Sequence, residues 1–178
     1  MTPRDDYAES GLILVDKPQE WTSHDVVNFI RRRFAISKVG HCGTLDPIAT
    51  GLLVVLLGRA TKLSSRLLSQ DKVYTGSMYL GVETHTQDRA GEVTATAEPS
   101  AVSAVTAAAV RAVAARYTGP LLQVPPMVSA LKKDGKRLYK LARGGQEVER
   151  EARPVHIHQL DIDAVDIPIV RFTVRCSK

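Results

Sequence analysis

The chain has 178 residues, with 24 Lys+Arg against 19 Asp+Glu and a net charge of +5. That length suits one large domain or two small ones, enough to bury roughly 70% of the unfolded surface. With 44% hydrophobic and 24% charged residues the composition is that of an ordinary globular chain and argues against disorder. The longest aliphatic run, Leu52 to Leu57, is far short of the ~18–20 residues of a membrane-spanning helix. Met1-Thr2-Pro3-Arg4-Asp5-Asp6 lacks the basic-then-apolar pattern of a signal peptide. Cys42 and Cys176 alone make neither a disulfide scaffold nor a zinc site, so a cytoplasmic protein is expected.

In chain order, Gly11 to Val15 reads as a short buried strand entering the turn Asp16-Lys17-Pro18. A helix follows, capped by Thr22 or Ser23 and striped by Val26, Val27, Ile30 and Phe34. Residues 35–51, punctuated by Gly40, Gly43, Pro47 and Gly51, read as an ordered loop. Leu52 to Leu57 is a fully apolar strand ended by Gly58. Lys72 to Leu80 alternates with Tyr74, Gly76, Met78 and Leu80 on one face, and Glu92 to Ala97 is expected to pair back on it.

Pro99-Ser100 opens an Ala-rich helix to about Tyr117, stopped by Gly119-Pro120. Its stripe of Val102, Val105, Ala109 and Val113 is core packing. Lys136 to Arg143 reads as a short helix that puts Lys136, Lys140 and Arg143 on its outer face. Val155 to Ala164 and Ile169 to Cys176 read as strands. No linker-like stretch divides the chain. The pattern is mixed α/β with hairpins, which disfavours a doubly wound parallel sheet.

The N-terminal thirty residues are acidic, whereas Arg31-Arg32-Arg33, the trio Arg59, Lys62 and Arg66, and the segment 131–155 concentrate positive charge. Such clusters suit a polyanion such as RNA, or are simply solvated helix faces. Gly51 to Lys62 fails as a phosphate loop because Arg59-Ala60 follow Gly58 where Lys-Ser/Thr is required. His156 and His158 share a strand face, but with no third ligand near they read as a solvated face rather than a metal site. His41-Cys42-Gly43-Thr44-Leu45-Asp46-Pro47 is the densest run of unusual residues. Asp before Pro is barred from the helical region, so the loop can hold a carboxylate at a fixed angle, or Asp46 can merely bond local amides.

Taken together and in order, these segments resemble the TruB-type tRNA pseudouridine-55 synthases. Asp16-Lys17-Pro18 with Trp21-Thr22-Ser23 is similar to the family's first motif. His41 through Pro47, Ala49-Thr50-Gly51 and Gly58-Arg59-Ala60-Thr61-Lys62 are similar to its catalytic motif. Lys72-Val73-Tyr74, Leu80-Gly81, Thr84, Thr86, Asp88 and Gly91 are similar to the next. Pro125 through Lys132, with Gly135, Leu138-Tyr139 and Ala142-Arg143, are similar to the fourth. The resemblance runs from about Gly11 to the end of the chain.

The resemblance implies an α/β fold of the α+β type, with a mixed, largely antiparallel central sheet flanked by helices. It implies an isomerase that breaks the C1′–N1 bond of a uridine in the T-arm loop of tRNA, turns the base and rejoins it through C5. Neither cofactor nor metal is implied. Asp46 is the implied catalytic carboxylate; it could add to the sugar, add to the base or take a ribose proton. Tyr74 would stack on the extruded base, unless it is a core aromatic of its strand. His41 would fill the gap left in the RNA stack, and Lys17 would lie near the target nucleotide or its phosphate, unless it is a solvated turn lysine. Lys132, Lys136, Lys140 and Arg143 would contact the RNA backbone.

Three positions depart from the family pattern. Glu20 stands where glycine is usual, and Val128 where tyrosine is frequent. The family strand ending Cys-Ser-Lys continues into Gly-Thr-Tyr-Ile-Arg, whose arginine pairs with the catalytic aspartate, whereas this chain stops at Cys176-Ser177-Lys178. Residues 1–178 are therefore expected to be the N-terminal part of a catalytic domain, without that arginine or a PUA-like RNA-binding module. The alternatives are a non-catalytic RNA-binding or RNA-folding protein and a guide-RNA-dependent pseudouridine synthase.

Overall fold

The computed structural model describes residues 10–125, 132–133, 136–137 and 148–177, the two short pieces by their backbone alone. Two compact units result, Met1–Gln70 and Asp71–Lys178. Their boundary falls between a helix and a strand, with no Pro/Gly-rich stretch, so composition carries no mark of it.

The first unit is built on a three-stranded antiparallel sheet of β1 (Gly11–Lys17), β2 (Val39–His41) and β3 (Gly51–Leu57), in the order β1-β3-β2. The apolar run of β3 fits its central place, with Leu53, Val55 and Leu56 at 1% exposure or less. Helix α1 (Ser23–Phe34) covers one face. The Thr22 hydroxyl accepts from the Asp25 amide at 3.1 Å, and the Thr22 amide donates to the Asp25 carboxylate at 2.8 Å, a reciprocal cap that fixes where the helix starts. Val26, Val27 and Ile30 bury with Ile36, Val39, Leu53 and Val55 as the core. Phe34, expected on that stripe, is instead 45% exposed. Ala35 turns the chain in the left-handed region (φ 55), Ile36 takes the core position, and the Arg33 guanidinium lies 5.8 Å from the Phe34 ring centre.

Residues 35–51 are not all loop, because Val39–His41 pairs with β3 as β2. After β3 a 3-10 helix (Gly58–Leu63) and α2 (Ser64–Leu68) complete the unit.

The second unit holds a four-stranded antiparallel sheet ordered β4-β11-β10-β7, from β4 (Lys72–Tyr79), β7 (Gly119–Gln123), β10 (Arg153–Asp166) and β11 (Ile169–Cys176). The alternation in β4 matches that in β11: Tyr74, Gly76 and Met78 stand opposite Val174, Phe172 and Val170 on one apolar face. Gly76 makes room there for Phe172, since a Cβ would meet the far end of its ring at 2.8 Å unless the ring shifted. The expected Ala-rich helix is two helices, α3 (Pro99–Ser103) and α4 (Ala107–Ala115). The Thr106 hydroxyl accepts from the Ala109 amide at 3.2 Å, so a new cap interrupts what propensity alone would continue. The helix ends before Gly119-Pro120, as expected, and Gly119 opens β7. Helix α4 packs over β10, and an apolar cavity of about 810 Å³ lies between Val113 and Tyr117 on one side and Met78, Leu121 and Phe172 on the other.

Two further expectations change. Strand β6 (Val93–Thr96) pairs with β5 (Val82–Thr84), not with β4, because Gly81 (φ 86) turns the chain first. Lys136–Arg137 is a strand, β9, paired with β8 (Lys132–Lys133), so the helix expected from Lys136 does not start there. The remainder of that segment, through Lys140 and Arg143, lies outside the described residues.

Candidate active site

The loop between His41 and Gly51 is held at several points along its backbone. The Cys42 amide donates to the Val54 carbonyl at 2.8 Å, extending the β2–β3 ladder by one bond. Gly43 (φ 109) then reverses the chain in a conformation side-chain-bearing residues rarely adopt. Its carbonyl meets His41 Nδ1. A carbonyl only accepts, so in this contact His41 Nδ1 is the donor. His41 is half-buried.

Leu45 is clasped by one hydroxyl. Ser23 Oγ accepts from the Leu45 amide at 2.9 Å and donates to the Leu45 carbonyl at 3.2 Å. The Asp46 carbonyl accepts from the Ala49 amide at 3.0 Å, closing a turn over Pro47. The Pro47 carbonyl accepts from the Glu20 amide at 2.8 Å and lies 3.4 Å from Lys17 Nζ. Asp46 is thus a single residue between two fastened ones. Its side chain is exposed, and among the described residues its carboxylate has no hydrogen bond or ion pair. The local Asx bonds weighed for Asp46 are not made.

Lys17 is corrected by the structure. It is neither a solvated turn lysine nor open to a phosphate, for its side chain is fully buried. The ammonium donates to the carbonyls of Trp21 (2.6 Å), Pro18 (2.9 Å) and Pro47 (3.4 Å). Three carbonyl dipoles replace the water that a buried cation gives up. They tie the first motif's turn to the loop of Asp46, thirty residues on.

Glu20 has φ 67. The family's usual glycine at this position is explained by that left-handed backbone, which glycine adopts without strain.

In the second unit, Tyr74 lies on the apolar face of β4 opposite Val174 and is 46% exposed, so it is not a fully buried core aromatic. The β5–β6 turn carries a second ordered carboxylate: Asp88 Oδ1 accepts from the Thr86 hydroxyl at 2.7 Å and from the Ala90 amide at 2.9 Å. The His156 and His158 rings stack with centres 4.6 Å apart, and His158 Nε2 lies 3.2 Å from the Asp71 carboxylate, which Arg175 also meets at 3.3 Å. No cluster of three or more metal-ligating side chains occurs among the described residues. Of the basic groups, Arg31 is committed internally, to the Ser37 and Val39 carbonyls and the Asn28 side chain, whereas Arg59, Lys62 and Arg66 are exposed. For Lys132 and Lys136 only the backbone is described.

Sequence reasoning missed Ser23 as part of the site. It could be read only as a cap candidate and as a member of the first motif, since the clasp on Leu45 spans 22 residues and exists only once α1 packs on the sheet.

Residues 31–178 match the model of the TruB family pseudouridylate synthase (N terminal domain). The chain is 50% identical over 169 residues to the tRNA pseudouridine synthase B of Syntrophotalea carbinolica, covering 95% of this chain and 54% of that one. It is 48% identical over 171 residues to the tRNA pseudouridine synthase B of Burkholderia pseudomallei, covering 96% and 55%. The chain spans about half the length of these curated relatives. Among solved structures, a Cbf5-Nop10-Gar1 complex superposes with a TM-score of 0.66 at 27% identity, over 94% of this chain and 39% of that one. The archaeal box H/ACA sRNP Nop10-Cbf5 complex gives 0.62, also at 27%, over 94% and 38%. The chain belongs to the TruB family of pseudouridylate synthases and matches its N-terminal domain.

Proposed function

We propose that this protein converts uridine to pseudouridine at position 55, in the T-arm loop of tRNA, with Asp46 as the essential carboxylate. The observation that carries this reading is the Asp46 side chain, exposed and unpartnered among the described residues, on a loop fastened on both sides of it. A fixed carboxylate is the group this reaction needs. The C1′–N1 bond breaks, the base turns, C5 bonds to C1′, the C5 proton leaves and N1 gains one. Atoms balance without a cofactor. The target base must leave the RNA stack first. His41, one ring at the head of the loop, suits the gap it leaves, and the half-exposed ring of Tyr74 suits stacking on the base.

Identity of 48–50% to relatives named for tRNA, against 27% to the Cbf5 structures, favours tRNA over the guide-RNA-dependent alternative. Lys132, Lys136, Lys140 and Arg143 are proposed to meet the RNA backbone, giving affinity that falls with salt. The test is incubation with a T-arm hairpin transcript and chemical mapping of pseudouridine. Product that vanishes in Asp46→Asn supports the reading. Binding without product points to the RNA-binding alternative, and product persisting in Asp46→Asn overturns the catalytic assignment.

A further inference from the structure

The geometry points to Ser23 as a positioning residue for Asp46, acting through Leu45; the inference rests on the reading of Asp46 as the reacting carboxylate. Ser23 is 2% exposed, and its hydroxyl does nothing for the helix it begins, because Thr22 supplies the N-cap. Both of its hydrogen bonds go to one residue, the amide and the carbonyl of Leu45. A hydroxyl used in this way fixes the orientation of the two peptide planes flanking Leu45, the second of which leads directly into Asp46. The hydroxyl is itself held by a rigid base, since α1 is capped by the Thr22–Asp25 box and buried along Val26, Val27 and Ile30. Leu45 also packs its side chain against that core. On the far side of Asp46, the Pro47 carbonyl is fastened independently by the Glu20 amide. Removing the Ser23 clasp frees only one of the two ends, so the loop stays attached while the carboxylate loses its fixed angle. Misplacement of a reacting group by about 1 Å costs on the order of 100-fold in rate.

The experiment compares Ser23→Ala and Ser23→Thr with the unsubstituted chain by amide hydrogen exchange and by single-turnover pseudouridine formation in a T-arm hairpin. For Ser23→Ala the expected result has three parts. The Leu45 amide exchanges faster while the amides of α1 and β3 stay protected. The RNA Kd stays within about twofold. The rate falls roughly 10- to 100-fold. Ser23→Thr, which keeps the hydroxyl, restores Leu45 protection. An unchanged rate, or a Leu45 amide as protected as before, overturns the inference. Loss of protection throughout α1 and β3 overturns it too, since Ser23 would then hold the fold rather than the loop. Asp46→Asn separates the two levels. Product from that variant sinks the reading of Asp46, whereas a silent Asp46→Asn beside a fully active Ser23→Ala sinks only the role of Ser23. The exchange readout needs no turnover and decides the clasp in either case.

Discussion

The backbones of Glu20 and Pro47 meet across 27 residues of sequence: the Glu20 amide donates to the Pro47 carbonyl at 2.8 Å, from a left-handed φ of 67. The first motif and the loop of Asp46 are joined here by main chain, and the side chain at position 20 takes no part in the bond.

That bond makes Glu20 a strained position whose strain is independent of its charge. A non-glycine residue in the left-handed region costs roughly 1 kcal/mol, partly offset in a glycine variant by the greater entropy of its unfolded chain. Glu20→Gly is expected to raise stability by about 0.5 kcal/mol, a gain of roughly 1–2 °C in thermal midpoint. Glu20→Ala, which removes the charge and keeps the strain, should give no such gain. Equal gains from both would assign the effect to charge.

Lys17 and its three carbonyls predict a dissociation of stability from RNA affinity. Lys17→Met keeps most of the apolar stem and leaves the Trp21 and Pro18 carbonyls without their donor. Carbonyls left without their donor at this partly exposed turn cost about 1 kcal/mol, to be read as a lowered denaturation midpoint. A phosphate-binding lysine would instead reduce the salt dependence of RNA binding by about one unit of slope. The slope is expected to stay unchanged, and a reduced slope with unaltered stability would restore the phosphate role.

The cap of α1 gives a pH dependence with a definite sign. Hydrogen bonds from the Thr22 side chain and then its backbone hold the Asp25 carboxyl below its ordinary value of 3.8. A depressed folded value means the stabilisation is complete above the unfolded value and is lost as pH falls through the folded one. Thermal midpoints of the unsubstituted chain should therefore drop more steeply below about pH 4 than those of Asp25→Asn, whose cap does not titrate. Parallel curves for the two proteins would remove Asp25 from the acid transition.

Period and caps made much of this fold legible. The alternation of β4 and β11 marked both strands to within a residue, because their apolar side chains gather on one face of the ladder. Thr22 followed by Asp25 marked the start of α1 because capping is local. What failed to show was tertiary. Strand β2 has three residues and exists only through its pairing with β3. Thr106 breaks an Ala-rich run by a side-chain bond that propensity scales do not weigh. In the candidate site, Asp46 and His41 stood out by motif, yet the Ser23 clasp on Leu45 and the Lys17 contact with Pro47 reach partners 22 and 30 residues away. A lysine between Asp16 and Pro18 reads as a turn, and only the sheet-and-helix packing turns it inward.

The ordered Asp88 turn rests on a close approach that a double-mutant cycle can resolve. A Cβ at Gly91 would stand 2.1 Å from the Thr86 hydroxyl oxygen, the donor to Asp88 Oδ1, and 3.0 Å from the Thr86 amide nitrogen. Gly91→Ala must therefore displace Thr86 and with it the hydrogen bond that orients Asp88, at an expected cost of about 1–3 kcal/mol. Thr86→Ala alone loses the bond to a partly exposed carboxylate, about 1 kcal/mol. In the Thr86→Ala background the hydroxyl clash no longer exists, so Gly91→Ala should cost less there than in the unsubstituted chain. The cycle is expected to show a coupling of about 1 kcal/mol in chemical denaturation. Simple additivity would mean that the Thr86 backbone, not its hydroxyl, sets the requirement for glycine.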